Sequence, residues 1–208
     1  MHLEAFIFDI GGVLIDFDLD MLTANIARRD PAVMGRANLL RTDPSLIEAE
    51  RGKMRGIDYF IEKIRPLAPH WTYDDFVHAW ADVLTPNQEG QMLFRAIQGA
   101  DYPVFFLSNA AEYNVDAMNF KFPGFLSQPI DYFVSCRMGM VKPDVAIYEA
   151  VAQRIDVKAS NCLFLDDVQD NVDAARKAGM MSLLFSPSEI AEVRLEIARL
   201  TDERVPLT

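Results

Sequence analysis

Phe6-Ile7-Phe8-Asp9-Ile10-Gly11-Gly12-Val13-Leu14 is an apolar run that delivers one carboxylate and is broken at once by two glycines. It reads as a buried strand whose end hands Asp9 to a tight turn. A carboxylate at the end of an apolar strand is costly to bury without a cation or hydrogen-bond donors beside it. Open α/β sheets gather their chemistry at the carboxyl ends of their strands, so partners for Asp9 are expected at the ends of other strands.

Strand-like runs recur along the chain at Ala5 to Phe8, Pro103 to Leu107, Tyr132 to Cys136, Cys162 to Leu165 and Met181 to Phe185. Most are apolar throughout, the pattern of parallel strands covered by helices on both faces. Helices are expected at Val145 to Arg154 and Val172 to Ala178, the second stopped by Gly179. The repeated unit is then strand, helix, strand with right-handed crossovers. Ser186-Pro187-Ser188-Glu189, ahead of Ile190, Val193, Ile197 and Leu200, has the form of a capping box with proline at the first helical position and an apolar stripe, and predicts a C-terminal helix docked on the sheet. The fold class is α/β, a parallel sheet with helices on both faces.

From Asp18 to Thr85 the character changes. No convincing strand appears, and apolar residues fall at helical spacing, as in Met21, Leu22 and Ile26 and in Phe76, Val77, Trp80, Val83 and Leu84. Asp43-Pro44, Arg65-Pro66 and Thr85-Pro86 punctuate this stretch. The expected division is a core of residues 1–17 and 86–208 and an all-helical cap, residues 18–85, inserted after the first strand. A cap placed there lies over the carboxyl ends of the strands, where it closes on a substrate and excludes water.

Composition narrows the function. With 208 residues, half of them hydrophobic, the chain can bury a sizeable core. No apolar stretch approaches the roughly 20 residues that span a bilayer, and the start shows no basic region followed by a secretory hydrophobic segment. A cytoplasmic location is the expectation. A net charge of -11 argues against nucleic acid or a membrane surface as a partner. It does not exclude a small anion, which a metal ion, helix N-termini and one lysine can hold locally. Cys136 and Cys162 sit in strand-like runs without metal-site spacing and read as reduced core residues.

The expected strand ends carry Asp9, Ser108-Asn109 and Asp166-Asp167, with Lys142-Pro143-Asp144 in the loop after the third strand. Three aspartates supply the hard oxygen ligands that Mg²⁺ prefers. Ser108, the amides opening the next helix and Lys142 offer donors to a dianionic group. Taken singly, each piece has a plainer reading: an aspartate pair or Ser-Asn after a strand caps a helix, and a lysine before proline is a solvated loop residue. Asp16, Asp18 and Asp20 have the alternating spacing of a metal cluster but are expected to line the hinge into the cap and to cap its first helix, a catalytic role, for Asp16 foremost, being the alternative. Arg51 and Lys53 are either substrate contacts or solvated charge. His2, His70 and His78 have no catalytic partners in the sequence, and Trp71 and Trp80 read as cap core.

The segments FIFDIGGVL, FFLSN, GMVKPD and FLDDVQDN, in that order, resemble the four motifs of the haloacid dehalogenase superfamily of hydrolases. Their wording, with Glu50-Arg51-Gly52, is similar to the branch of bacterial sugar-phosphate phosphatases that includes α-D-glucose-1-phosphate phosphatase. The resemblance implies a Rossmann-like core, a small helical cap, a Mg²⁺ cofactor and an aspartyl-phosphate intermediate in the hydrolysis of a small-molecule phosphate ester. It implies Asp9 as nucleophile and metal ligand, the Gly11 carbonyl and Asp167 as further ligands, Asp166 acting through water, and Ser108, Asn109 and Lys142 holding the phosphoryl group. A monomer or homodimer is expected. Most phosphatases of this superfamily carry a second aspartate two positions after the nucleophile as general acid; here that position is Gly11. Two other readings stay open: a metal-independent haloacid dehalogenase, which leaves the Asp166-Asp167 pair without a role, and a catalytically weak module that binds a phosphorylated ligand.

Overall fold

The computed structural model describes residues 2–29 and 43–206. Its strands are β1 (Ala5–Phe8), β2 (Ile15–Phe17), β3 (Leu84–Pro86), β4 (Val104–Ser108), β5 (Asp131–Val134), β6 (Cys162–Asp166) and β7 (Met181–Leu184). Five of them form one parallel sheet in the order β5-β4-β1-β6-β7. All five expected strands are present. The third ends two residues early, because Ser135 opens a short helix, Ser135–Met138, that removes Cys136 from the sheet and leaves it half-buried.

Successive side chains of a strand point to opposite faces, and here each face has its own core. Phe6 and Phe8 join Val104, Phe106, Leu163 and Leu165 on one side. Ala5 and Ile7 join Phe105, Leu107, Cys162 and Phe164 on the other. Both alternating sets are therefore apolar, which is why these strands read as unbroken hydrophobic runs. The chain passes from β1 to β4 and β5 on one side and returns to β6 and β7 on the other. The order reverses beside β1, and that is where an open α/β sheet leaves a crevice.

Helices α1 (Leu19–Arg29), α2 (Ser45–Glu50), α3 (Gly56–Tyr59), α4 (Tyr73–Asp82), α5 (Gln88–Gly99), α6 (Glu112–Lys121), α7 (Ser135–Met138), α8 (Val145–Arg154), α9 (Gln169–Lys177) and α10 (Ile190–Leu200) complete the described elements, with a π-helical turn at Phe60–Ile64. The expected Val145 to Arg154 helix is α8. The expected Val172 to Ala178 helix starts three residues earlier, and Gly179 follows its end with φ of +87°. The capping box at Ser186 does not form: its hydroxyl pairs with Ser188 Oγ at 2.8 Å, and Pro187–Glu189 make a 3₁₀ turn ahead of α10. Val193 and Ile197 of α10 are nonetheless buried in the core of the Phe6 face.

Between β2 and β3 the described elements are helical, with one correction. Leu84 and Thr85 belong to a strand, β3, paired antiparallel with β2 as Phe17↔Leu84, Asp16↔Thr85 and Ile15↔Pro86. Three residues are too few to leave a period in the sequence. Asp18 caps α1, its Oδ1 accepting from the amides of Asp20 and Met21 at 2.8 and 2.9 Å. Leu22 is buried but Met21 is exposed, so the expected stripe of α1 is narrower than its spacing suggested; the Ile26 side chain and residues 30–42 lie outside the described residues. A Thr72/Asp75 capping box starts α4, which lies against α6 with Tyr73 Oη donating to Asp116 at 2.8 Å. Among the described residues no helix is long and apolar enough to cross a membrane.

The N-terminus of α5 holds the turn that follows β1. Asn87 N and Gln91 Nε2 both donate to the Leu14 carbonyl at 3.1 Å, and Gly90 packs on the Val13 backbone so closely that a Cβ there would run into the Val13 carbonyl oxygen. Helix propensity favours alanine over glycine by about 1 kcal/mol, but a backbone carbonyl cannot retreat as a flexible side chain can. Gly90→Ala is expected to destabilise the protein by about 1–3 kcal/mol in urea unfolding. A gain in stability would show that α5 is not seated on this turn.

Candidate active site

Three strand ends converge because β4, β1 and β6 are neighbours in the sheet: Ser108 closes β4, Asp9 follows β1 and Asp166 closes β6. Lys142 reaches the same point from the segment after α7. Its Nζ lies 2.9 Å from Asp9 Oδ1 and 2.6 Å from Asp166 Oδ2, and donates to the Leu107 carbonyl at 3.3 Å. All three charged residues are buried, Asp166 completely. Asp9 Oδ1 also accepts from the Ile10 amide at 2.7 Å, so two donors fix the carboxylate's orientation. Asp166 is held by the Val168 amide at 2.8 Å and by Asn171 Nδ2, which donates to both its oxygens. This is the set of donors that the opening run required.

Burial pushes the Asp9 carboxyl up to about 7, against the lowering effect of Lys142 and with the Asp166 charge adding to the rise. Burial alone pulls the Lys142 ammonium down, but Asp9 and Asp166 outweigh it and hold it above its ordinary value. The pair is thus ionic by mutual support.

Asp167 is the exposed member of the cluster, and one carboxylate oxygen from each of Asp9, Asp166 and Asp167 lies within 4.8 Å of the others. Once all three carboxylates are ionised, as a bound cation would favour, they carry three negative charges against the one ammonium of Lys142. Hard oxygens, a double negative charge and close spacing suit Mg²⁺. Gly12 makes room for this arrangement: its φ is +71°, and a Cβ there would overlap the Asp167 carboxylate. Gly11, beside it, faces Phe17, whose Cε1 stands 3.1 Å from where a Cβ would be. A Cβ at position 11 would press on that ring, which would have to give by a few tenths of an ångström.

Asn109 is committed at both ends of its amide to the backbone of Lys142, accepting from its N–H at 2.8 Å and donating to its carbonyl at 2.9 Å. It ties the loop after β4 to the segment that carries the lysine. Asp16 accepts from Asn87 Nδ2 at 2.9 Å, bracing the β2/β3 ribbon. Glu50-Arg51-Gly52 meets the sheet's edge: Arg51 Nη1 lies 3.4 Å from Asp144 Oδ2, and a Cβ on Gly52 would strike the Cys136 carbonyl. Lys53 pairs with Glu48 at 3.5 Å and His78 stacks on Phe120.

A cavity of about 220 Å³ opens between these strand ends and the helices inserted after β2. Gly11, Ser108 and Asn109 lie along it, and Tyr59, Phe76, Trp80 and Tyr113 give it an aromatic wall. Tyr113 is the centre of that wall, with ring centroids 5.3, 5.1 and 5.6 Å from Tyr59, Phe76 and Trp80. Trp71 is core, as expected, but Trp80 is both packed and cavity-lining. Sequence periodicity marked Phe76 and Trp80 as apolar positions and did not single out Tyr59 or Tyr113; it carried no sign of which would face an opening.

Removing Lys142 leaves two carboxylates buried without their cation. Lys142→Met is expected to cost about 3–5 kcal/mol of stability at neutral pH. It also raises the Asp9 carboxyl beyond its present value of about 7. An acid whose folded pKa exceeds its unfolded value loses stability as pH rises between the two. The variant should therefore be more stable at about pH 5 than at about pH 8 in chelator, by denaturant titration; equal stability at both would show that the carboxylates do not depend on the lysine.

A model of the haloacid dehalogenase-like hydrolases matches residues 3–179. A sesquiterpene phosphatase of Aspergillus oryzae is 25% identical over 189 residues, 89% of this chain and 91% of its own length. A HAD-like family hydrolase of Porphyromonas gingivalis is 26% identical with a TM-score of 0.75, covering 94% of this chain and 98% of the other. A HAD family enzyme of Bacteroides thetaiotaomicron, solved with magnesium and inorganic phosphate, has a TM-score of 0.76 over 88% of this chain and 94% of the other; at 20% identity that likeness is one of fold. On the family match, which spans most of its length, the chain belongs to the haloacid dehalogenase-like hydrolases.

Proposed function

We propose that this hydrolase is a Mg²⁺-dependent phosphohydrolase that cleaves a small phosphate ester through phosphorylation of Asp9. The observation that carries the proposal is the cluster itself: a buried, oriented carboxylate paired with a buried lysine, with two further carboxylates in reach. Asp9, Asp167 and the Gly11 carbonyl would hold the metal, with Asp166 acting through water. When bound, Mg²⁺ neutralises charge on the phosphoryl oxygens. The phosphatase named among the relatives supports the reaction class, and the presence of Asp166 and Asp167 beside Asp9 supports it over a metal-independent dehalogenase.

In the proposed first step an Asp9 oxygen attacks phosphorus in line, the bond from phosphorus to the ester oxygen breaks, and the alcohol leaves with that electron pair. Water then attacks the phosphorus of the acyl phosphate and returns Asp9. Lys142 balances negative charge on the transferring group and holds Asp9 in line. Ser108, at the end of β4, faces the same opening and donates to the phosphoryl oxygens. Asn109, tied to the Lys142 backbone at both ends of its amide, positions Lys142 and keeps a second N–H for the phosphoryl group. Gly11 supplies no proton, so the leaving alcohol takes its proton from elsewhere.

The motif likeness to sugar-phosphate phosphatases supports the phosphoryl half of the substrate. The alcohol half meets the cavity, whose lining is mainly hydrocarbon and aromatic.

Asp9→Asn, nearly isosteric and still able to accept from Lys142, is expected to lower turnover of an aryl phosphate by about 10⁴-fold or more, as removal of a nucleophile does. Chelation should abolish wild-type turnover and added Mg²⁺ should restore it. Chelator-resistant halide release from a 2-haloacid would instead point to the dehalogenase, and tight phospholigand binding without any turnover to a binding module.

A further inference from the structure

Granted that the site hydrolyses a phosphate ester, the cavity behind it limits which alcohol that ester carries. Glu50 is the one charged residue among the described residues that line it. Of the polar remainder, Asn109 gives one N–H and one lone pair to the Lys142 backbone and Asn114 Oδ1 accepts from the Ala111 amide at 3.0 Å. A hexose placed here would bury several hydroxyls against hydrocarbon with few partners, which is costly.

Two lining residues nevertheless carry polar atoms that want a partner. Tyr59 Oη and Trp80 Nε1 are buried and find no hydrogen-bond partner among the described residues, and Tyr59 is only 1% exposed. Buried donors left unpaired are rare in folded proteins. The two flank Tyr113 on the aromatic wall. An occupant that is apolar over most of its surface, with one acceptor for these donors, satisfies both features.

Size follows from volume. A cavity of about 150 Å³ takes a benzene ring, so 220 Å³, part of it along Ser108 where the phosphoryl group would sit, has room for a hydrocarbon of about the size of a benzene ring with a short chain. We propose that the substrate is the phosphate monoester of an apolar alcohol of about that size, its hydrocarbon on the Tyr59, Phe76, Tyr113 and Trp80 wall, and not a sugar phosphate.

The test compares 3-phenylpropyl phosphate with glucose 6-phosphate on the full-length protein with Mg²⁺; both lose a primary alcohol, so a difference in kcat/KM reports the cavity and not the leaving group. The expected ratio favours the phenylpropyl ester by at least about tenfold. Leu46→Trp, at a half-buried lining position, should shrink that ratio by about tenfold by filling the cavity. A ratio at or below unity, or one unchanged in a folded Leu46→Trp protein, would overturn the proposal. Should neither ester turn over, the phosphohydrolase reading fails by itself, and calorimetry with 3-phenylpropanol decides the cavity: binding that is lost in Leu46→Trp upholds it, and no binding to the wild type overturns it.

Discussion

One ammonium shared between two buried carboxylates is the constraint on which the site depends. Lys142 stands within hydrogen-bond distance of Asp9 and Asp166 at once, and both carboxylates are buried around it. The lysine in turn keeps its proton only because both are there. Buried ion clusters of this kind are weak devices for stability, since desolvation offsets most of their attraction. Their worth is geometric. Here the cluster fixes one carboxylate at a strand end, next to an opening, with a surplus of negative charge that invites a divalent cation.

The rest of the architecture maintains that geometry. The parallel sheet puts the ends of β4, β1 and β6 side by side, and the reversal of strand order beside β1 parts the loops so that a ligand can enter. Asn109 joins the loop after β4 to the segment bearing Lys142, across 33 positions of sequence. The α5 helix holds the turn after β1 from below through Leu14 and Val13. Gly12 is required twice in that turn, by its left-handed backbone and by the Asp167 carboxylate beside it. The inserted helices, together with Tyr113 of α6, then add what the sheet lacks, an aromatic wall behind the strand ends.

Strands β1, β4 and β6 were legible because burial on both faces makes every residue apolar, a signal that survives without any alignment. The charged cluster was legible because Asp9, Lys142 and Asp166 break such runs or follow them. What escaped has physical reasons. Strand β3 is three residues long and its hairpin with β2 leaves no period. Ser186 has the spelling of a capping box, yet a 3₁₀ turn and the Ser188 hydroxyl claim its place. That Asn109 also ties down the Lys142 backbone could not be read from sequence, because the two are 33 positions apart. Tyr59, Trp80 and Tyr113 come from three separate helices, and an aromatic residue at helical spacing looks the same whether it faces a core or a cavity. Gly11 announced a missing acid, but the Phe17 ring beside that position comes from the next strand and was not foreseeable.

The central claim is that Asp9 itself becomes phosphorylated, held for attack by Lys142. Rapid-quench mass spectrometry of the full chain turning over an aryl phosphate with Mg²⁺ tests it most directly. The account predicts a transient phosphoryl group on the peptide that contains Asp9, formed at a rate no slower than turnover and absent in Asp9→Asn. Turnover with no phosphorylated protein at any time, under conditions where acyl phosphates survive the quench, or a phosphoryl group on another residue, would contradict it.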